Sequence, residues 1–393
     1  MIVQEFKVKA KPQQFAAIDE AIRSGQFVQN KALRYWMDNA KVSKYDLNKL
    51  CKQLAKEYVF ANELNSMARQ SHAERAWAAI SRFYDNCKQG VNPVRFPKFK
   101  KFACSVEYKT SGWKLTAPKR IKFTDKKNIG ELKLVGTWDL AHYPVELIKR
   151  VRLVRRADGY YAQFCLAVDR SEPLDPTGKS VGIDVGLESF YTDSNGKKVE
   201  NPRFYRKREK QRKRLARRLS KTQKGSSNRR KALNRLARFD LKTSRQRKDH
   251  AVKLARCVVR ANDLIAYEDL RIKNMVRNHC LAKSISDAGW YQFRTWIERY
   301  GEIFNRITVA VPPAYTSQQC SSCGEIVKKS LSTRTHVCAC GCRLDRDENA
   351  ALNILSSALS TTGHVGTWAD SPNASGEMTT TQLSFGFAEQ VAS

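Results

Sequence analysis

Asp184 and Glu268 each close a short apolar run, Val181-Gly182-Ile183-Asp184 and Leu264-Ile265-Ala266-Tyr267-Glu268. Runs of that length and composition read as buried strands. A charge at the end of such a strand is expensive unless it is solvated, paired or metal-bound. A further acidic pair, Asp345 and Asp347, opens a helical pattern that continues through Leu355. If the two strands are parallel neighbours, their carboxylates meet at one sheet edge. An acid from the helix start then completes an all-oxygen pocket. Such a pocket favours Mg²⁺ or Mn²⁺. Two such ions about 4 Å apart activate water and stabilise the leaving oxygen of a phosphodiester. Each acid taken alone reads better as a surface cap. The trio, in a chain whose charge attracts polyanions, points to metal-assisted phosphodiester cleavage.

Eleven cysteines divide into two classes, five of them between Cys320 and Cys342. Cys320-Ser-Ser-Cys323-Gly324 and Cys338-Ala-Cys340-Gly341-Cys342 form two knuckles that resemble a Cys₄ zinc ribbon. Cys320, Cys323, Cys338 and Cys340 make the set, with Cys342 as a fifth thiol and His336 as a further donor. The second knuckle is one residue shorter than C-x-x-C. Its place just before the third acid implies a structural zinc that braces the last helix. The scattered Cys51, Cys87, Cys104, Cys165, Cys257 and Cys280 are expected to be reduced core residues of a cytosolic protein, since no secretory signal opens the chain.

Lysine and arginine number 72 against 38 acids, a net charge of +34 over 393 residues. Such a field attracts polyanions with steep salt dependence. Nucleic acid is the expected partner and an anionic membrane surface the minor alternative. No apolar run of about 18 residues exists to span a bilayer. The charge is densest over 203–248, with 21 basic residues against Glu209 and Asp240. A thin stripe of Leu215, Leu219, Leu233, Leu236 and Phe239 makes this segment a helical arm. Arg206, Lys210, Arg212, Lys213, Arg217 and Arg218 are its candidate phosphate contacts, and Phe204, Tyr205 and Phe239 its candidate stacking rings. The competing reading is a solvated helical face.

The elements that must position these groups follow from periodicity. Ile2, Val3, Phe6 and Val8 alternate as a strand, and 12–90 carries helical stripes. A β-rich stretch opens at Phe96-Pro97-Lys98-Phe99-Lys100 and runs to Val168, with a hairpin at Ala157-Asp158-Gly159. Together these give a β-barrel-like unit with helices inserted. Ser171-Glu172-Pro173-Leu174-Asp175-Pro176 reads as a linker. The last stretch, free of Lys and Arg and rich in Ser, Thr and Gly, reads as disordered.

Gly182-Ile183-Asp184-Val185-Gly186, Glu268-Asp-Leu, Thr316-Ser-Gln-Gln-Cys320-Ser-Ser-Cys323-Gly324, Leu331-Ser-Thr-Arg334 and Asp345-Arg346-Asp347-Glu348-Asn349-Ala350-Ala351 follow one another as in the transposon-encoded TnpB family. The chain resembles that family over roughly 1–365, by motif in its second half and by layout in its first. The resemblance implies a multidomain α/β chain related to compact type V CRISPR effectors. It assigns 1–10 with 91–172 to a wedge-like β-barrel and 11–90 to an inserted helical recognition module. It assigns 173–315 with 343–365 to an RNase H-like (RuvC) nuclease, 316–342 to its zinc ribbon and 366–393 to a disordered tail. It implies RNA-guided cleavage of double-stranded DNA beside a short motif, with the guide RNA coming from the transposon end and magnesium or manganese, two ions, as cofactor. By position Asp184, Glu268 and Asp347 become the catalytic acids, with Asp347 preferred to Asp345. Similar proteins use the helical block near the guide and adjacent motif, which draws in Arg69, Gln70 and Arg75. The expected location is the cytoplasm of a prokaryotic cell, at the nucleoid when bound. A nuclease-inactive RNA-guided repressor and an RNA-independent transposase or junction nuclease are the alternatives.

Overall fold

A computed structural model describes residues 1–330 and 333–363. The tail read as disordered, 366–393, lies outside the described residues. The chain divides into two compact units, one of 1–179, 201–263 and 271–307, the other of 180–200, 264–270 and 308 onward.

In the first unit the opening alternation forms β1 (Ile2–Lys9), and four helices follow: α1 (Pro12–Asp38), α2 (Lys44–Glu57), α3 (Val59–Glu63) and α4 (Ser66–Lys88). Proline at the first turn of α1 loses no intrahelical bond. Ser43 and Asp46 exchange bonds in a capping box at α2. Val28, Leu33, Trp36, Leu47, Leu54 and Ile80 meet in one core, while the earlier stripe of α1, Ile18 and Ile22, packs into the core of the sheet that contains β1. The expected β-rich opening at Phe96 is not strand. Pro97 lacks a ladder donor, and the carbonyls of Lys100 and Lys101 are taken by Gln26 and Asn30 of α1.

Six strands follow: β2 (Ser105–Lys109), β3 (Trp113–Ala117), β4 (Arg120–Phe123), β5 (Glu131–Val135), β6 (Ile148–Arg156) and β7 (Gly159–Leu166). With β1 they build a seven-stranded sheet of order β2-β6-β7-β1-β5-β4-β3. Tyr108 of β2 and Phe123 of β4 lie near opposite ends of that order, yet their rings are 4.7 Å apart. The sheet therefore curls around a single core that includes Phe6, Trp113, Leu132, Leu153 and Phe164. Glu107 of β2 is buried, and Arg75, Arg150, Arg152 and the Ser71 hydroxyl surround its carboxylate. Burial alone would raise its pKa, but these partners hold it well below the usual carboxylate range.

The stretch read as a linker is tied down. Glu172 and Leu174 donate backbone N–H groups to the carbonyls of Ile303 and Phe304, at the end of the last of five further helices. These are α5 (Phe204–Ser220), α6 (Ser227–Ala261), α7 (Ile272–Met275), α8 (Ala282–Ala288) and α9 (Trp290–Phe304). The basic segment is thus a helical hairpin, α5 and α6. The buried Asp287 accepts the N–H groups of Tyr205 and Arg206 at 2.8 and 3.0 Å, capping α5.

The second unit contains a five-stranded sheet of order β10-β9-β8-β11-β12. Its strands are β8 (Ser180–Asp184), β9 (Ser189–Asp193), β10 (Lys198–Glu200), β11 (Leu264–Glu268) and β12 (Ile307–Val311). A small hairpin, β13 (Thr335–Val337) with β14 (Arg343–Asp345), leads into α10 (Arg346–Gly363). Leu264, Ala266, Val311, Ile354 and Ala358 form the core between sheet and helix. That approach is close because Gly182 has no side chain: a Cβ there would meet the Ala351 carbonyl and come within 2.9 Å of Leu355. Gly182→Ala therefore forces β8 and α10 apart. It should lower stability by about 1–3 kcal/mol, read in urea unfolding followed by tryptophan fluorescence. An unchanged midpoint would contradict this packing.

Candidate active site and metal centre

β8 and β11 are parallel, with Ala266 opposite Gly182 and Tyr267 opposite Ile183. The next residues, Glu268 and Asp184, therefore emerge from the same sheet edge. The Asp184 carboxylate is partly buried and has no hydrogen bond or ion pair among the described residues. Burial, then the charges of Glu268 and Asp347, push its pKa well above the usual value. Glu268 is also raised by burial, although the Thr316 hydroxyl donates to it at 2.6 Å and opposes the shift. Three oxygen donors crowded until one resists ionisation suit a hard divalent cation. As placed, their oxygens do not all lie within 4.8 Å of one another, a spacing that only cysteine-containing sets reach among the described residues.

The two acids at the start of α10 have different surroundings. Asp345 caps the helix: its Oδ1 accepts the N–H groups of Asp347 and Glu348 at 3.0 and 3.4 Å. Its Oδ2 accepts from Lys198 at 2.7 Å. Burial would raise its pKa, but the Lys198 bond and the helix N–H groups lower it. Asp347 instead has two arginines as partners. Arg346 contacts its Oδ1 through Nε and Nη2 at 3.1 and 3.0 Å, and Arg334 stands 3.9 Å from Oδ2 while pairing with Glu188 at 2.8 Å. Thr316, Lys198 and Arg346 were not singled out from sequence. Arg334 and Thr316 were visible only as members of longer motifs.

The four cysteines Cys320, Cys323, Cys338 and Cys340 gather their sulfurs within 4.8 Å of one another. Cys320 to Cys340 is 3.7 Å and Cys323 to Cys338 is 3.5 Å. These spacings are far beyond a disulfide and close to the edge of about 3.8 Å that Zn–S bonds of about 2.3 Å give a tetrahedron. Gly324 and Gly341 turn the knuckles at φ of +80° and +90°. Burial raises the Cys320 thiol, but the backbone N–H groups of Cys323 and Ser322 and the His336 ring bring it below the usual thiol range. The donor set thus fits a structural zinc. Cys342 and His336 group with Cys320 in a second, three-membered set. On α10, Asn349 and Asn353 both donate to the Gln319 carbonyl at 2.7 Å, and Asn353 also to the Thr316 carbonyl at 2.8 Å. This fastens the first knuckle to the helix that bears Asp347. Of the scattered cysteines only Cys51 and Cys165 are buried; Cys87, Cys257 and Cys280 are exposed, so the core reading fails for those three.

The basic candidates separate by partner. Arg212 forms a two-bond pair with Asp240, while Lys213 and Arg206 pair with Glu209. Lys210, Arg217 and Arg218 have no ion pair among the described residues. In α4, Arg69 donates to the carbonyls of Ala61, Asn62 and Leu64, and Arg75 serves Glu107. Both hold the first unit together, whereas Gln70 is half-buried and its side chain has no hydrogen bond among the described residues.

Two outcomes follow from this geometry. An acid whose folded pKa is raised costs stability once pH climbs above its unfolded value, and the cost grows until the folded value is passed. Asp184→Asn should therefore raise the melting temperature of metal-free protein at pH 7.5 by about 2 °C or more. The difference should vanish near pH 4, and the variant should lose the wild-type stabilisation by Mn²⁺. A metal-free Asp184→Asn protein that melts lower would contradict the crowding. Cys320→Ser and Cys323→Ser should lose zinc by elemental analysis while Cys342→Ser retains about one ion per chain. Zinc lost in Cys342→Ser but kept in Cys323→Ser would place the metal in the other set, which shares Cys320.

Residues 163–279 match a family model described as "Probable transposase", and 290–354 match "Cas12f1-like, TNB domain". A Streptomyces pristinaespiralis protein named "Putative RNA-guided DNA endonuclease" is 30% identical over 376 residues, covering 91% of this chain and 90% of that protein. The TnpB-like protein L79 of Acanthamoeba polyphaga mimivirus is 28% identical over 219 residues, 50% of this chain and 41% of its own. Among solved structures, the protein of a Cas12f1-sgRNA-target DNA complex shares the fold at a TM-score of 0.55 and 14% identity, over 88% of this chain and 83% of that one. The alignment with the Streptomyces protein spans nearly the whole of both chains, and the chain belongs to the TnpB family.

Proposed function

We propose that this protein is an RNA-guided DNA endonuclease of a transposable element that cuts double-stranded target DNA beside a short adjacent motif by metal-dependent hydrolysis. The observation that carries the reading is the emergence of Asp184 and Glu268 from one edge of a parallel strand pair, with Asp347 close enough to raise the Asp184 pKa. The five-stranded sheet with α10 is read as the RNase H-like (RuvC) nuclease and 316–342 as its zinc ribbon. The curled seven-stranded sheet is read as the wedge, and α1–α4 as the recognition module. A guide RNA from the transposon end and the target duplex are the partners, and sequence reading passes to guide–target pairing.

Asp184, Glu268 and Asp347 would hold two magnesium or manganese ions, which when bound activate water and stabilise the leaving oxygen. Thr316 fixes the Glu268 carboxylate through its hydroxyl bond. Arg346 and Arg334 pair with Asp347. Asp345, with both oxygens used, sets the direction of α10 rather than serving as a donor. The three acids standing together favour an active nuclease over a nuclease-inactive repressor.

Asp184→Ala, Glu268→Ala and Asp347→Ala should each lower guided cleavage by at least about 100-fold and leave guide and target binding nearly intact. Asp345→Ala should cost a cap of about 1 kcal/mol and leave most of the cutting. Gel assays of cleavage beside filter-binding of the same complexes read both. If Asp345→Ala is inactive while Asp347→Ala still cuts, the third acid is misassigned.

A further inference from the structure

The arm carries a feature that uniform phosphate contact does not require. At the joined end of α5 and α6 lies a groove of about 370 Å³, within the range of about 300–1,000 Å³ typical of small-ligand clefts. Leu215 and Ala232 form its apolar floor, and Arg218, Lys231, Arg235 and the Asn228 amide stand around it. No acidic side chain lines it. These four are exposed, and none has a hydrogen bond or ion pair through its side chain among the described residues; the fifth polar residue of the lining, Thr222, is half-buried and donates its hydroxyl to the Leu219 carbonyl. This contrasts with the rest of the arm, where Asp240 and Glu209 engage Arg212, Lys213 and Arg206.

Three unmatched cations around one groove repel each other, and a phosphate removes that repulsion. A duplex backbone would use the cations alone and is far too wide to enter. The apolar floor with an amide beside it is useful only to a base that has left its stack. We propose that the α5–α6 end seats a single unpaired nucleotide of a polynucleotide strand. Its phosphate lies among Arg218, Lys231 and Arg235, its base against Leu215 and Ala232, and its edge within reach of Asn228. The inference deepens the reading of the chain as a guide-RNA and DNA binder and rests on it. RNA and DNA share the chemistry named, and the probes separate them.

The test uses full-length protein freed of nucleic acid, in EDTA so that nothing is cut. Fluorescent single-stranded 12-mers of RNA and of DNA are titrated at several salt concentrations, each beside an abasic strand of equal charge. Lys231→Gln and Arg235→Gln should each make the slope of log affinity against log salt shallower by about 0.7. Lys253→Gln, a cation elsewhere on α6 already paired with Asp249, should change it less. Wild type should prefer the normal strand to the abasic one several-fold. Ala232→Leu, which fills the floor and keeps every charge and the helix propensity, should abolish that preference. Ala232→Met takes its place if circular dichroism shows lost helix. The strand type with the larger base preference is the occupant. Equal affinity of wild type for normal and abasic strands of both kinds, or unchanged slopes in Lys231→Gln and Arg235→Gln, would overturn the proposal. Since no cleavage is read, failure here is separable from failure of the nuclease reading, which the acid variants report.

Discussion

Negative charge gathered at one edge of a buried sheet is the constraint to which the second unit answers. The Asp184 carboxylate has no hydrogen-bond or ion-pair partner among the described residues, and Glu268 and Asp347 raise its pKa beyond what burial does. Such an arrangement is held only if the backbone beneath it is rigid. The β8–β11 pairing and the contact of Gly182 with α10 supply that rigidity. A side chain at position 182 would lift the helix and with it Asp347. The glycine, the two alanines after Asn349 and the acid thus form one mechanical unit.

The knuckle belongs to the same piece. Asn349 and Asn353 lie one turn apart on α10, on the face that meets Thr316 and Gln319. Thr316 in turn holds Glu268. Losing the four-sulfur centre would therefore loosen two acids at once, without any sulfur taking part in the chemistry. Lys198 and the capping by Asp345 fix where α10 begins.

Much of this was legible in the sequence because it is local. Alternation marked β1, the β-rich stretch to Val168 covered β3, β4 and β5, the Asp158-Gly159 turn marked the β6–β7 hairpin, and two apolar runs ending in carboxylates marked β8 and β11. What was not legible depends on distant partners. Asp345 and Asp347 are the same residue type two positions apart, and partners from distant parts of the chain, Lys198 on Asp345 and Arg334 near Asp347, distinguish their surroundings. Arg69 and Arg75 look like free cations in a helix, yet carbonyls and a buried glutamate on other elements engage them. The opening at Phe96 reads as the start of a β-rich stretch, but Pro97 and the side-chain amides of α1 claim its backbone. The exposed Cys87, Cys257 and Cys280 show that residue type alone does not report burial.

Charge is likewise unevenly available. A net +34 suggests a uniform attraction for polyanions, but many of the cations already serve acids within the chain. The positions with none mark where a nucleic acid would add energy. The central claim, that this scaffold directs an acidic metal site by an RNA, is tested most directly by re-targeting. Purified protein carrying its own RNA is compared with protein carrying the same RNA with a replaced target-pairing segment, on a plasmid that holds both complementary sequences beside the same adjacent motif. The account predicts that the cut moves to the new complement and requires Mg²⁺. A cut that stays in place, or appears equally without RNA, would contradict it.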